Sequence, residues 1–181
     1  MNFIIYDLEA TCWRGRPPKG SNEIIEIGAY KLNELGEELG MFSRFVKPTT
    51  NPKLSSFCTK LTSITQSEVD SASKFPSVAE DFKEWMGFYD NEDYILCSWG
   101  DFDIQFLRND CDLHKMEQEW LESYTNLKNQ YHVIKSMNKY TGLKTTLTRE
   151  GFEFTGVQHR AISDALNLCK IFRKFIDEWS Y

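Results

Sequence analysis

With 181 residues and a mass of 21.2 kDa, the chain has the size of one domain and enough length to bury a sizeable core. Hydrophobic residues make up 41% and charged ones 27%, which excludes extended disorder, and no apolar run approaches the roughly 18 residues of a membrane span. The formal net charge of −6 excludes a surface that is basic throughout.

Residues 2–6 (NFIIY) are an apolar run suited to a buried strand, and residues 23–32 (EIIEIGAYKL), rich in β-formers, predict a second. ELGEELG reads as a turn and 41–47 (MFSRFVK) as the returning strand. Pro48, Pro52 and a run of Thr, Asn and Ser predict a loop. Thr65 with Glu68, and Ser77 with Glu80, have capping-box spacing and predict helices starting near 66 and 77. The second would present Val78, Phe82, Trp85 and Met86 on one face. YILCSW (94–99) returns to strand, and helices are expected over 103–112, 126–139 and 143–150. Over 161–179, Ala165, Leu168, Phe172, Phe175 and Trp179 recur at three- and four-residue steps and predict one long helix. A strand hairpin followed by alternating helices and strands predicts an α/β fold, a sheet with helices packed against it.

No repeat or long linker divides residues 1–181, so a single domain is expected. The N-terminus (MNFIIYDLEA) has no basic region and reaches an acid at Asp7, which does not read as a signal peptide. Five widely spaced cysteines with no C-x-x-C pair predict reduced thiols and a cytoplasmic protein without a zinc site or disulfide framework.

Three carboxylate groupings carry chemistry. Asp7 and Glu9 stand two residues apart at the end of the first strand, on one face and roughly 7 Å apart at the backbone. Such a pair either caps an exposed strand end or holds a hard divalent cation. Asp103, just after a strand, is either an N-cap, in competition with Asp101, or a further ligand. His159 and Asp164 are five residues apart and would not share a helical face. They act together only if His159 lies on the preceding loop and Asp164 in the first helical turns. Four acidic ligands and one base is the inventory of metal-assisted hydrolysis.

The charge distribution adds a partner class. Segments 10–22, 39–67 and 123–149 contain no acid but hold twelve of the 21 basic residues, interleaved with Trp13, Phe57, Tyr124, Tyr131 and Tyr140. Basic segments with aromatics suit a groove that tracks a nucleic-acid backbone and stacks its bases.

In order, D-x-E near the N-terminus, F-D in mid-chain and H-x-x-x-x-D before the last helix resemble the DEDDh 3′→5′ exonucleases. YDLEATCW (6–13), EIIEIGA (23–29), SSFCTKLTSITQSEVDSA (55–72) and SWGDFD (98–103) are similar to the subgroup that trims histone mRNA tails and small RNAs, and to its sporulation-inhibitor-like relatives. The resemblance covers about residues 2–178. It implies a ribonuclease-H-like mixed β-sheet flanked by helices and hydrolysis of single-stranded RNA or DNA from its 3′ end, with RNA preferred. It names no protein partner. It also implies two divalent ions, Mg²⁺ or Mn²⁺, on Asp7, Glu9, Asp103 and Asp164, with His159 as general base. Thr11 matches a residue beside the terminal nucleotide, and Phe57 and Phe102 match aromatics that sandwich its base. Phe102 stands where the subgroup usually has Trp. Ala161 and Ser163 stand where it has Gly and a second acid. The alternative reading is a regulatory nucleic-acid- or protein-binding module that retains the exonuclease fold.

Overall fold

Alternation along the first strand decides the architecture. In β1 (Asn2–Ala10), Ile4, Tyr6 and Leu8 enter one apolar cluster, while Phe3 and Ile5 enter another. A strand buried on both faces requires a layer on each. The computed structural model, which describes residues 1–181, supplies them as helices on either side of a five-stranded sheet. The sheet order is β3-β2-β1-β4-β5, with β2 at Ile24–Leu32, β3 at Glu38–Phe45, β4 at Tyr94–Ser98 and β5 at Tyr124–Asn126. The β1–β2 and β2–β3 pairs are antiparallel, the β1–β4 and β4–β5 pairs parallel. This is the mixed sheet that the resemblance implies.

On the face of Tyr6 and Leu8 lie α3 (Phe75–Met86) and α4 (Phe102–His114), which contribute Val78, Phe82, Met86, Ile104 and Leu107. On the face of Phe3 and Ile5 lie α5 (Leu127–Ile134), α6 (Leu143–Arg149) and α7 (Ala161–Lys174). Two short helices, α1 (Ser56–Thr62) and α2 (Gln66–Ser71), close over the end of the hairpin. Cys58, Ile64 and Val69 meet Ile25 there in a third small cluster.

Several expectations shift. β1 continues four residues past the apolar run, so Asp7 and Glu9 lie inside a paired strand. The stretch read as a loop after Pro52 contains α1, started by Ser55, whose hydroxyl accepts the Cys58 N–H at 2.9 Å. The Thr65–Glu68 capping box forms as expected. The Ser77–Glu80 box does not. Pro76 presets the first turn of a helix that already begins at Phe75, which leaves Ser77 inside it. α7 ends at Lys174. Phe175 and Trp179 are buried from the turn that follows, with the Trp179 indole N–H donating to the Phe172 carbonyl at 2.9 Å. The 126–139 helix stops at Ile134, and β5 is a three-residue strand that no periodicity announces.

One close approach holds the α7 layer to the sheet. A Cβ built on Gly28 of β2 would stand 2.2 Å from the Ile162 nitrogen and 2.3 Å from the Ala161 carbonyl carbon. These are backbone atoms at the start of α7 and cannot rotate away. Gly28→Ala is therefore expected to destabilise the protein by about 3 kcal/mol or more, at the upper end of overpacking costs. The denaturant midpoint checks this, and a wild-type midpoint would show that α7 is free to shift.

Candidate active site

Asp7 and Glu9 point to the α7 face of the sheet, opposite Gly28 and Glu26 of β2 in the strand register. The N-terminus of α7 passes directly over Gly28, which brings Asp164, in the first turn of that helix, above them. One carboxylate oxygen each from Asp7, Glu9 and Asp164 lie within 4.8 Å of one another. Asp103 comes from the other layer. It is the second residue of α4, is buried, and its Oδ1 accepts the Leu8 N–H at 3.3 Å, between Asp7 and Glu9 in sequence. It stands outside the tight group of three, yet its charge is the leading electrostatic influence on Asp7. Asp101 holds the N-cap position of α4 but makes no capping bond; its carboxylate accepts from the Tyr124 hydroxyl at 3.1 Å.

The acids repel one another. Burial, then Asp103, Asp164, Glu9 and Glu26, raise the Asp7 carboxyl well above the usual range. Burial and the neighbouring Asp164, Glu26 and Asp103 push Glu9 up to about 8. Burial pushes Asp103 up to about 7 despite the hydrogen bond from Leu8. Burial also raises Asp164, offset in part by the His159 N–H. Carboxylates gathered this way need positive charge, and the set is entirely hard oxygen. That donor set fits Mg²⁺ or Mn²⁺ and does not fit a soft metal.

His159 lies on the loop before α7, as the five-residue spacing requires. Its φ of 61° is in the left-handed region, and its N–H donates to Asp164 Oδ2 at 2.9 Å. The half-buried imidazole makes no hydrogen bond within the protein, so its ring nitrogens are available. Sequence reasoning missed what pins this loop. Glu26, 1% exposed, accepts from Arg160 Nε at 3.2 and 3.1 Å, from Arg160 Nη2 at 2.9 Å and from the Ala161 N–H at 2.9 Å. Ser163 Oγ accepts the Val157 N–H at 3.2 Å, and Lys144 Nζ donates to Gln158 Oε1 at 3.1 Å. The signal available was an acid inside an apolar strand run (EIIEIGA) and an arginine directly after the histidine.

Thr11, expected beside the terminal nucleotide, follows directly on the end of β1. It is fully buried, and its hydroxyl accepts the Glu23 N–H at 2.9 Å. Glu23 in turn accepts from the backbone of Thr49, Thr50 and Asn51 at 2.6–2.9 Å, which fastens the loop leading to α1. Phe57 is half-buried on α1, and Phe102 is 78% exposed at the start of α4 beside Asp103. The basic segments are only partly free. Lys135 pairs with Glu150 at 3.3 Å and Lys47 donates to the Asp70 carbonyl, while Arg14, Arg16, Lys53, Lys60 and Lys139 make no ion pair.

Comparison with known proteins gives a consistent frame. The family model RNase T, described as an exonuclease, matches residues 4–172. Human 3'-5' exoribonuclease 1 (Homo sapiens) is 33% identical over 93% of this chain and 50% of its own length. ERI1 exoribonuclease 2 of Danio rerio is 32% identical over 97% of this chain and 35% of its own. The chain thus spans half or less of the length of these relatives. A crystal structure of the nuclease domain of 3'hExo, a DEDDh family member, bound to rAMP, matches with a TM-score of 0.89 and 31% identity. That match covers 97% of this chain and 92% of that one. Exonuclease I shares the fold, with a TM-score of 0.79 and 13% identity. No helix is long and apolar enough to cross a membrane.

The raised carboxyls set a pH dependence. Their folded values exceed their unfolded ones, so the metal-free native state holds protons that the unfolded state lacks. Stability should therefore fall as pH rises from about 4 through about 8. Mg²⁺ or Mn²⁺ requires the deprotonated acids, so its stabilisation should be larger near pH 8 than near pH 6, about 5–10 °C in Tm at saturating ion. Asp7→Asn should raise the metal-free Tm and abolish the metal response. Equal metal-induced shifts at the two pH values would contradict this account.

Proposed function

The chain belongs to the RNase T exonuclease family, and from that membership we propose that it is a metal-dependent 3′→5′ exonuclease. It hydrolyses single-stranded nucleic acid, RNA in preference to DNA, from the 3′-hydroxyl end and releases nucleoside 5′-monophosphates. The observation that carries this reading is the convergence of Asp7, Glu9 and Asp164 within 4.8 Å, with Asp103 alongside and His159 on the adjoining loop. The names of the relatives, 3'-5' exoribonuclease 1 and ERI1 exoribonuclease 2, support the polarity and the RNA preference.

Two divalent ions, Mg²⁺ or Mn²⁺, held by Asp7, Glu9, Asp103 and Asp164, would neutralise phosphate charge and acidify water at the scissile bond. The protein's own residues do the rest. The four carboxylates would hold those ions in place, since bare carboxylates repel a phosphodiester. His159 accepts the proton of the attacking water as general base, and the Asp164 bond to its N–H holds the loop in place for that transfer. Phe57 and Phe102 stack on the terminal base, each worth about 1–3 kcal/mol of binding. Thr11 serves as a positioning residue: through Glu23 it fixes the loop ahead of α1 and hence the approach of Phe57. A paired end reaches such a site only after fraying, which favours single strands.

Oligoribonucleotides labelled at the 5′ or 3′ end, incubated with Mg²⁺, Mn²⁺ or chelator, test the proposal. The 5′-labelled strand should shorten one nucleotide at a time, and the 3′-labelled one should release only labelled mononucleotide. Both reactions should stop with chelator and slow on a strand blocked by a 3′-phosphate. His159→Ala should reduce turnover by about 10²–10⁴-fold with substrate binding retained. Internal fragments would overturn the exonuclease reading, and binding without shortening would support a module that keeps the fold only to hold nucleic acid.

A further inference from the structure

Tyr6 carries a hydroxyl group that no bond within the protein uses. It lies in β1 directly before Asp7, but its side chain takes the opposite face, with Ile4 and Leu8 under α3 and α4. The residue is fully buried, and its Oη has no hydrogen-bond partner. A buried O–H without an acceptor is costly, and such groups are rare in folded proteins. A phenylalanine would fill nearly the same space without that penalty.

Few polar groups surround this hydroxyl. The parallel register that sets Ile5 against Cys97 brings Ser98 of β4 next to Tyr6, and Ser98 stands beside Asp103 as well. The Ser98 proton is committed, because Oγ donates to the Gly100 carbonyl at 2.8 Å. The Tyr124 hydroxyl is shared between that same carbonyl, at 2.5 Å, and Asp101, at 3.1 Å. Asp103 is the remaining neighbour. It arrives from α4 on the Tyr6 face of the sheet and accepts the N–H of Leu8, two residues further along the same strand. One backbone N–H does not satisfy a carboxylate, which has room for about four donors. Burial first, and the charge of Asp103 second, keep the Tyr6 phenol protonated and therefore a donor. An uncommitted donor thus stands beside an under-supplied acceptor.

We propose that Tyr6 is a positioning residue for the cation centre: its phenol donates to the Asp103 carboxylate and, together with the Leu8 N–H, fixes how that carboxylate is turned. That Asp103 serves a cation rests on the exonuclease reading. Asp103 comes from a different layer than Asp7, Glu9 and Asp164 and stands outside their tight group, so its orientation needs a support that theirs does not. Tyr6 reaches neither substrate nor ion and acts through Asp103 alone. Groups that hold a metal-binding carboxylate in this way set the affinity of the site rather than its chemistry.

Mn²⁺ binding is measured without nucleic acid, by loss of the free-ion electron paramagnetic resonance signal, for wild type, Tyr6→Phe, Asp103→Asn and the double variant. Tyr6→Phe should bind Mn²⁺ about tenfold more weakly, the low end of what losing an outer partner costs a metal site. Its metal-free Tm should equal or exceed that of wild type, since no existing bond is lost. In the Asp103→Asn background, where Asp7, Glu9 and Asp164 remain, the same change should cost nothing further. Raising Mn²⁺ should return Tyr6→Phe turnover on RNA to near the wild-type value, which a distorted site would not allow. Equal Mn²⁺ affinity for wild type and Tyr6→Phe would overturn the proposal, as would a lower metal-free Tm or a full further loss in the double variant. A wild-type protein that binds no Mn²⁺ would overturn the proposal and the cation centre together. Tenfold weaker binding in a protein that shortens no RNA would support the role of Tyr6 and overturn the exonuclease reading alone.

Discussion

The structure depends on how closely the start of α7 lies on the sheet. Gly28 leaves no side chain between β2 and the backbone of Ala161 and Ile162, where a methyl group would be 2.2 Å from a nitrogen. Glu26, two residues earlier on the same face, closes the contact from the side. It accepts three hydrogen bonds from Arg160 and one from the Ala161 N–H. Removing one partner of a buried, bidentate pair of this kind costs about 3–5 kcal/mol, because the other charge is left without compensation. The contact therefore does more than pack a helix. It sets the height of Asp164 over Asp7 and Glu9, and through the residue next to Arg160 it sets His159.

Two buried glutamates ahead of and within β2 divide the work of building the site. Glu26 clasps the His159 loop, and Glu23 clasps the turn at 49–51 that leads to Phe57. Glu23 stays below the usual carboxylate range, because three backbone N–H groups and the Thr49 hydroxyl outweigh the burial that would raise it. Asp7 and Glu9 lack such donors and are raised. The contrast separates the acids that hold loops from those that gather without donors of their own. The same sheet end thus carries two kinds of carboxylate a few residues apart, distinguished by their hydrogen bonds.

Much of the acidic cluster was legible in the sequence because a hard-oxygen donor set needs specific residue types at strand ends and helix starts. The five-residue step from His159 to Asp164 excluded a shared helical face and placed the histidine on a loop, which is where it lies. The clamp was only faintly legible. An acid inside an apolar run and an arginine after the histidine are its local signals, but neither names the other as partner, and Gly28 reveals its purpose only against a helix 133 residues later. Thr11 was legible by resemblance alone, and the structure turns its hydroxyl inward to Glu23. Among the elements, apolar period reported burial more faithfully than helicity. Phe175 and Trp179 continue the α7 pattern after the helix has ended, while α1, short and started by Ser55 after a proline-containing loop, has no period long enough to read.

The central claim is that the α7 contact brings four carboxylates from β1, α4 and α7 into one cation-binding centre. Anomalous diffraction from crystals soaked with Mn²⁺ and a nucleoside 5′-monophosphate tests it most directly. The account predicts Mn²⁺ density bounded by Asp7, Glu9, Asp103 and Asp164, with the phosphate against it and the His159 loop still fastened to Glu26 through Arg160. Density elsewhere on the protein, or none among these four acids with the nucleotide in place, would contradict it.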